Sequence, residues 1–270
     1  MAMRSQLRDK WNQAKNTEYF HSLQQADLTR KIINKQIPFI WASARLFYDR
    51  PEKLNKSTEE TKIHFNTQIR PYLEFAKHEL LIASPYFVPG HTGLQWFKNK
   101  QQQGTQITIL TNSLAATDVI AVHAGYKKYR GDLVKAGIKL FELKPTAQFL
   151  HSKAKQLIEG ASSASLHAKY MVIDQQYVFI GSANIDPRSR VLNTEVGIMV
   201  DSKELAQQTS ELFHKATSLE NSYQLLMDNR LTWLTAENAN QVRYFQEPKA
   251  SFLRKSGVFI LSLLPFESLL

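Results

Sequence analysis

The chain has 270 residues, 43% of them hydrophobic, a formal net charge of +10, a pI near 9.6 and no cysteine. That length supports a substantial core, and the absence of cysteine excludes disulfides, thiolate zinc sites and a cysteine nucleophile. The basic balance favours polyanionic partners, either an acidic phospholipid surface or nucleic acid.

The first ten residues lack the apolar core of a signal peptide. No run approaches the roughly 18 apolar residues of a membrane span. A cytoplasmic chain is expected, soluble or peripheral on the inner membrane. Residues 1–66 are polar, with apolar islands at 37–42 and 46–48, and read as a connecting or covering segment. Residues 67–228 carry the regular pattern. Helical spacing over 68–78 is followed by a strand at 80–84, a helix over 93–102, a strand at 106–110, a helix over 121–136 and a strand at 138–143. Gly104 and Gly137 each follow a helical run, as C-terminal caps do, and Pro85 and Pro89 break the chain after a strand. A hairpin comes next, with strands at 167–173 and 177–180 and a turn at 174–176, then a strand at 196–200 and a helix over 203–217. This alternation is an α/β pattern. Residues 229–270 form a C-terminal extension packed on the domain. Their apolar run at 257–264 is too short to cross a bilayer and is expected to be a terminal strand.

The chemistry concentrates in the hairpin. Side chains alternate along a strand, so His167 and Lys169 project together, while Asp174 belongs to the other face or to the turn. That placement argues against a Ser-His-Asp triad. His167-x-Lys169, Asp174 and Gly181-Ser182-x-Asn184 stand in the spacing HxKxxxxD(x6)GSxN. The match resembles the HKD signature of the phospholipase D superfamily, and six such residues coincide by chance on the order of once in 10^5 chains. Residues 83–90, 111–118 and 122–126 are similar to the second half of bacterial cardiolipin-synthase-type members. Glu195 falls where the superfamily often keeps a carboxylate.

The resemblance implies a mixed β-sheet sandwiched between helical layers, with one HKD-bearing half. It implies phospholipase D-type hydrolysis or phosphatidyl transfer through a phosphohistidine, with no cofactor and no metal. A phosphodiester is anionic and resists attack, so such a site needs a nucleophile, a proton source for the leaving alkoxide and donors for the phosphoryl oxygens. His167 suits the first or second task near neutral pH. Lys169 supplies a point charge, and Ser182 and Asn184 supply neutral donors. By resemblance, Glu195 holds the far nitrogen of an active-site His. Asp174 and Gly181 are assigned to the motif's structure.

Tyr86 and Asn112, at strand ends, and His123 and Tyr126, on a helix near the same edge, are candidate substrate contacts. His151-Ser-Lys153 lacks the following Asp and GSxN, leaving His151 as a substrate-phosphate contact at most. No other HxK completes the signature. The expected partner is therefore a second motif from another chain, as a homodimer or a separately encoded first half, with an anionic phospholipid as substrate. Two other readings stay open. One is a homodimeric single-motif endonuclease or phosphodiesterase acting on nucleic acid. The other is an inactive orphan half that binds anionic membranes.

Overall fold

The computed structural model describes residues 2–15, 17, 20, 27–54, 64–147 and 165–264. They fall into two compact units. The smaller has its described residues within 1–41 and contains helices α1 (Ala2–Lys15) and α2 (Asp27–Ile33). In it the Trp11 ring meets Phe20 edge-on at 5.8 Å.

The larger unit, from residues 42–150 and 162–270, is built on a ten-stranded sheet. Its elements are β1 (Ser43–Tyr48), a 3-10 turn (Pro51–Leu54), α3 (Phe65–Phe75), β2 (Glu79–Ala83), α4 (Gly90–Gln102), β3 (Gln106–Asn112), α5 (Ile120–Lys135) and β4 (Lys139–Leu143). After these come β5 (Tyr170–Ile173), β6 (Tyr177–Gly181), α6 (Pro187–Val191), β7 (Val196–Asp201) and α7 (Lys203–Thr217). The chain continues through β8 (Ser222–Met227), β9 (Leu231–Glu237), β10 (Asn240–Tyr244) and α8 (Phe252–Ser262). The strand order is β1-β7-β6-β5-β2-β3-β4-β8-β9-β10. Only β2, β3 and β4 run parallel to one another, and every other pairing is antiparallel.

Strand alternation divides the core into two layers. Leu80, Ile82, Ile109, Met171 and Phe179 face one side, where Phe65 and Ile69 of α3, Phe97 of α4 and Leu133 of α5 cover them. Leu81, Leu110, Val172 and Val178 face the other side, under Ala206, Phe213 and Ala216 of α7. The sheet is thus mixed and lies between helical layers, as the family resemblance implies. Gly104 and Gly137 have φ of +98° and +88°. Each closes its helix by a paired backbone motif. The Gly104 and Thr105 amides donate to Gln101 and Lys100, and those of Gly137 and Ile138 to Val134 and Leu133.

Three differences from the sequence expectation have local causes. The first strand of the hairpin begins at Tyr170 instead of 167: Lys169 O accepts from the Gly181 amide at 3.1 Å, and upstream the backbone of Leu166 is bonded to the Asn112 side chain. The run at 257–264 is helical. The Ser251 hydroxyl caps α8 at the Arg254 amide, and Val258 packs with Leu114 and Ala124. Third, residues 43–48 supply an edge strand to the sheet, and residues 222–244 form a three-stranded meander on its far side.

Asp174 shows how the motif's acid serves the fold. Asp174 and Gln175 take φ of +50° and +51° in the turn between β5 and β6. The Asp174 carboxylate accepts from the amides of Lys77, His78 and Glu79 at 2.9, 2.7 and 2.8 Å, fastening the hairpin to the start of β2. Burial pushes this carboxyl up, but those three amides outweigh it and hold the group below its ordinary range. Its stabilisation is therefore present above the unfolded carboxyl's pKa and lost as pH falls through the lowered folded value. Asp174→Ala should lower the unfolding free energy by about 2 kcal/mol at neutral pH, a modest figure because the group is only half-buried. Urea titrations of the two proteins should converge in acid. An equal stability gap at all pH values would show that the three bonds are not the cause.

Candidate active site

Gly181 and the residues after it are held by close backbone approach. A Cβ on Gly181 would lie 2.7 Å from the Val196 carbonyl oxygen, so β6 and β7 leave no room for a side chain there. The Ser182 amide then donates to Val196 O at 2.8 Å. The Ser182 hydroxyl accepts from the Val196 amide at 3.0 Å and donates to Glu195 Oε2. Asn193 donates to the other Glu195 oxygen at 3.3 Å. The Asn184 amide is fixed by Ser189 Oγ at 3.1 Å, while Asn184 Oδ1 is buried without a hydrogen-bond partner. Asp186 caps α6 by accepting from the Ser189 amide at 2.6 Å. Its carboxyl is raised, because burial outweighs that bond.

His167 lies exposed on the extended segment before β5. Among the described residues its imidazole makes no hydrogen bond, while its carbonyl accepts from Lys169 Nζ at 2.9 Å. Burial lowers the Lys169 ammonium against the pull of three carboxylates, Glu195, Asp118 and Asp186. Lys169, Ser182 and Glu195 thus share one neighbourhood, with Asp118 and Asp186 added. The sequence reading did not single out those two acids as site residues.

The four candidate substrate contacts separate. The Tyr86 hydroxyl donates to both oxygens of Asp118, at 3.0 and 2.9 Å, and burial and then that carboxylate push it up to about 12. Asn112 is buried and clamps the residue before His167. Its Nδ2 donates to Leu166 O at 3.0 Å and its Oδ1 accepts from the Leu166 amide at 2.8 Å. Asn112 therefore positions the motif backbone. His123 and Tyr126 lie buried, bonded into a network with Arg130, Glu142 and Glu247. The Tyr126 hydroxyl and Arg130 share Glu142 Oε1 at 3.0 and 3.3 Å, Trp233 donates to Glu142 Oε2 at 2.9 Å, and Arg130 reaches Glu247 at 2.6 Å. His123, Glu142 and Glu247 offer ligand atoms within 4.8 Å of one another. The guanidinium of Arg130 already engages both carboxylates, which disfavours a further cation. His151 lies outside the described residues.

Asp49 is a further residue that sequence reading missed. Its buried carboxylate accepts from the Glu195 amide at 2.9 Å, the Phe65 amide at 2.7 Å and Lys53 Nζ at 2.7 Å, and its own amide donates to Glu195 O at 2.8 Å. Nothing in the local sequence of β1 marks it, since all but one of its partners lie far along the chain.

Residues 69–217 match the family described as "Cardiolipin synthase, PLD-like domain". The chain belongs to the phospholipase D superfamily. It is 36% identical over 273 residues to cardiolipin synthase C of Escherichia coli (strain K12), an alignment covering 100% of this chain and 57% of that protein. It is 31% identical over 218 residues to an uncharacterized protein of Helicobacter pylori (strain ATCC 700392 / 26695), covering 80% of this chain and 42% of the other. The chain thus spans about half the length of the curated relatives it matches. Phosphatidylserine synthase of Haemophilus influenzae Rd KW20 shares the fold with a TM-score of 0.53 at 12% identity, over 87% of this chain and 49% of that one. Among the described residues, no helix of this phospholipase D-like protein is long and apolar enough to cross a membrane.

Removing the Asp49 carboxylate would leave Lys53 buried without its counter-charge, both side chains being 0% exposed. Asp49→Ala should destabilise this phospholipase D-like chain by about 3–5 kcal/mol in chemical denaturation. A loss below about 0.5 kcal/mol, within the range of ordinary surface substitutions, would mean that Asp49 does not anchor Glu195.

Proposed function

We propose that the chain is one catalytic half of a phospholipase D-type enzyme that hydrolyses, or transfers the phosphatidyl group of, an anionic phospholipid. The second HKD motif comes from another chain. In the first step one imidazole attacks phosphorus, the P–O bond to the leaving alkoxide breaks in line, and a second imidazole gives that alkoxide its proton. In the second step the same imidazole takes the proton of water or of an acceptor alcohol. The oxygen attacks phosphorus and the P–N bond breaks. One imidazole cannot serve both faces of an in-line displacement, so His167 performs one of these tasks and needs a partner.

The single complete motif supports this reading: His167 is its one imidazole, and no other HxK in the sequence is followed by the Asp and the GSxN. A second motif facing it would bring another Lys and His. Similarity to cardiolipin synthase C over the whole chain favours a phospholipid over a nucleic acid as the substrate. The basic chain, at +10, suits an acidic lipid surface.

His167→Asn should abolish phosphodiester turnover in the assembled enzyme, with loss of at least 10^2 to 10^4 in rate for the acid–base role alone. The melting curve should be unchanged, because the His167 side chain is exposed and unbonded among the described residues. Residual turnover near the wild-type rate, measured on a chromogenic phosphodiester and on phosphatidylglycerol, would remove His167 from the mechanism.

A further inference from the structure

A cleft of 310 Å³ lies beside the motif, between α3, α4 and the segment that carries Asn184. Its wall is apolar, with Ile69, Leu73, Ile82, Val88, Met171 and Trp96 among the lining residues. Asn184, whose Oδ1 is buried without a partner, lines the same cleft. Arg70 and Arg190 are exposed lining residues. Arg70 pairs with Glu74 at 3.3 Å, and among the described residues no carboxylate pairs with Arg190. The volume is at the lower end of ligand pockets, and its chemistry divides into a mostly apolar body, a polar side carrying Asn184, Asp186, Asn66 and Thr92, and cationic groups open to solvent.

We infer that this cleft takes an acyl chain of the phospholipid, with Arg190 and Arg70 facing the anionic headgroup. A hydrocarbon chain satisfies an apolar wall without needing polar partners, and its burial is favourable for each methylene removed from water. A nucleobase presents several donors and acceptors along its edge, whereas most of the wall is aliphatic and aromatic, its uncharged polar groups being those of Asn66, Thr92 and Asn184, and its one carboxylate, Asp186, being engaged by the Ser189 amide. Asn184 would accept from a headgroup hydroxyl, ending the isolation of its Oδ1. The cleft also shares its Asn184 wall with the GSxN motif, so a chain seated there lies next to the reacting phosphate. This assignment rests on the phospholipid reading given above, and it adds the chain as the part of the substrate that selects lipid.

The test uses the full chain carrying His167→Asn, so that binding is read without turnover. The probes are single-chain phosphoglycerols of stepwise chain length, used below their micelle concentration, with chain-free glycerophosphoglycerol as the comparison. Affinity by titration calorimetry should fall about fourfold for each methylene removed, and the chain-free compound should show no measurable binding. A chain brominated along its length should quench tryptophan emission saturably. That component should vanish in Trp96→Phe, while the other three of the four tryptophans remain. Affinity independent of chain length overturns the assignment, as does unsaturable quenching equal in both proteins, which would be adsorption to exposed apolar surface. The chain-length series needs no substitution in the cleft, so it stands even if Trp96→Phe folds poorly. Phosphodiester turnover without chain dependence would remove the cleft alone. Chain dependence without turnover in the assembled enzyme would remove the catalytic reading alone.

Discussion

The buried carboxylate of Asp49 ties the chain together at the point where chemistry is expected. It accepts two amides, from Glu195 and Phe65, and one ammonium, from Lys53. Through the first it fixes the residue that receives the Ser182 hydroxyl, and through the second it sets the start of α3, which bounds the cleft beside the motif. An ion pair shielded from water is no gain in itself, since desolvation offsets most of the attraction, but breaking one side of it is expensive. Such a group holds a geometry more than it stabilises a fold. The edge strand β1 brings Asp49 there, by pairing residue for residue with β7.

Two kinds of acid surround the motif, and their environments divide their work. Asp174 lies at the far end of the β5–β6 hairpin, saturated by three amides and held in its charged form. Glu195, Asp118 and Asp186 act on Lys169 directly. Of these, Asp118 is bonded to Tyr86 and Asp186 to the first turn of α6. α8 supports the Asp118 loop from behind, where Arg254 donates to the carbonyls of Leu114 and Thr117 at 2.7 and 2.8 Å. The motif supplies one imidazole where an in-line displacement uses two, which is the physical reason to assign it a complementary half.

Much of this was legible in the sequence because it is local. The motif spacing gave the family, hydrophobic period gave β2 to β7 with α3, α4, α5 and α7 but not the short α6, and Gly104 and Gly137 marked helix ends that do close at positive φ. What escaped depends on pairing between distant residues. β1 joins β7 across about 150 positions, and Asn112 clamps Leu166 across a stretch that no short-range pattern links. His123 sat near the expected edge in sequence, yet Glu142, Arg130 and Glu247 draw it into the interior, and residues 123, 142 and 247 have no spacing that announces a cluster. The apolar run at 257–264 was ambiguous for a related reason. A short hydrophobic stretch fits strand or helix equally, and only the Ser251 cap and the packing of Val258 decide it.

If this chain holds half of a phosphodiester site, turnover assayed across a size-exclusion profile with in-line mass determination, for the chain alone and mixed with a chain carrying a first HKD motif, should be absent from every fraction at the mass of one chain. It should be confined to fractions at the mass of two chains or more. Full turnover in a fraction at the single-chain mass would contradict it.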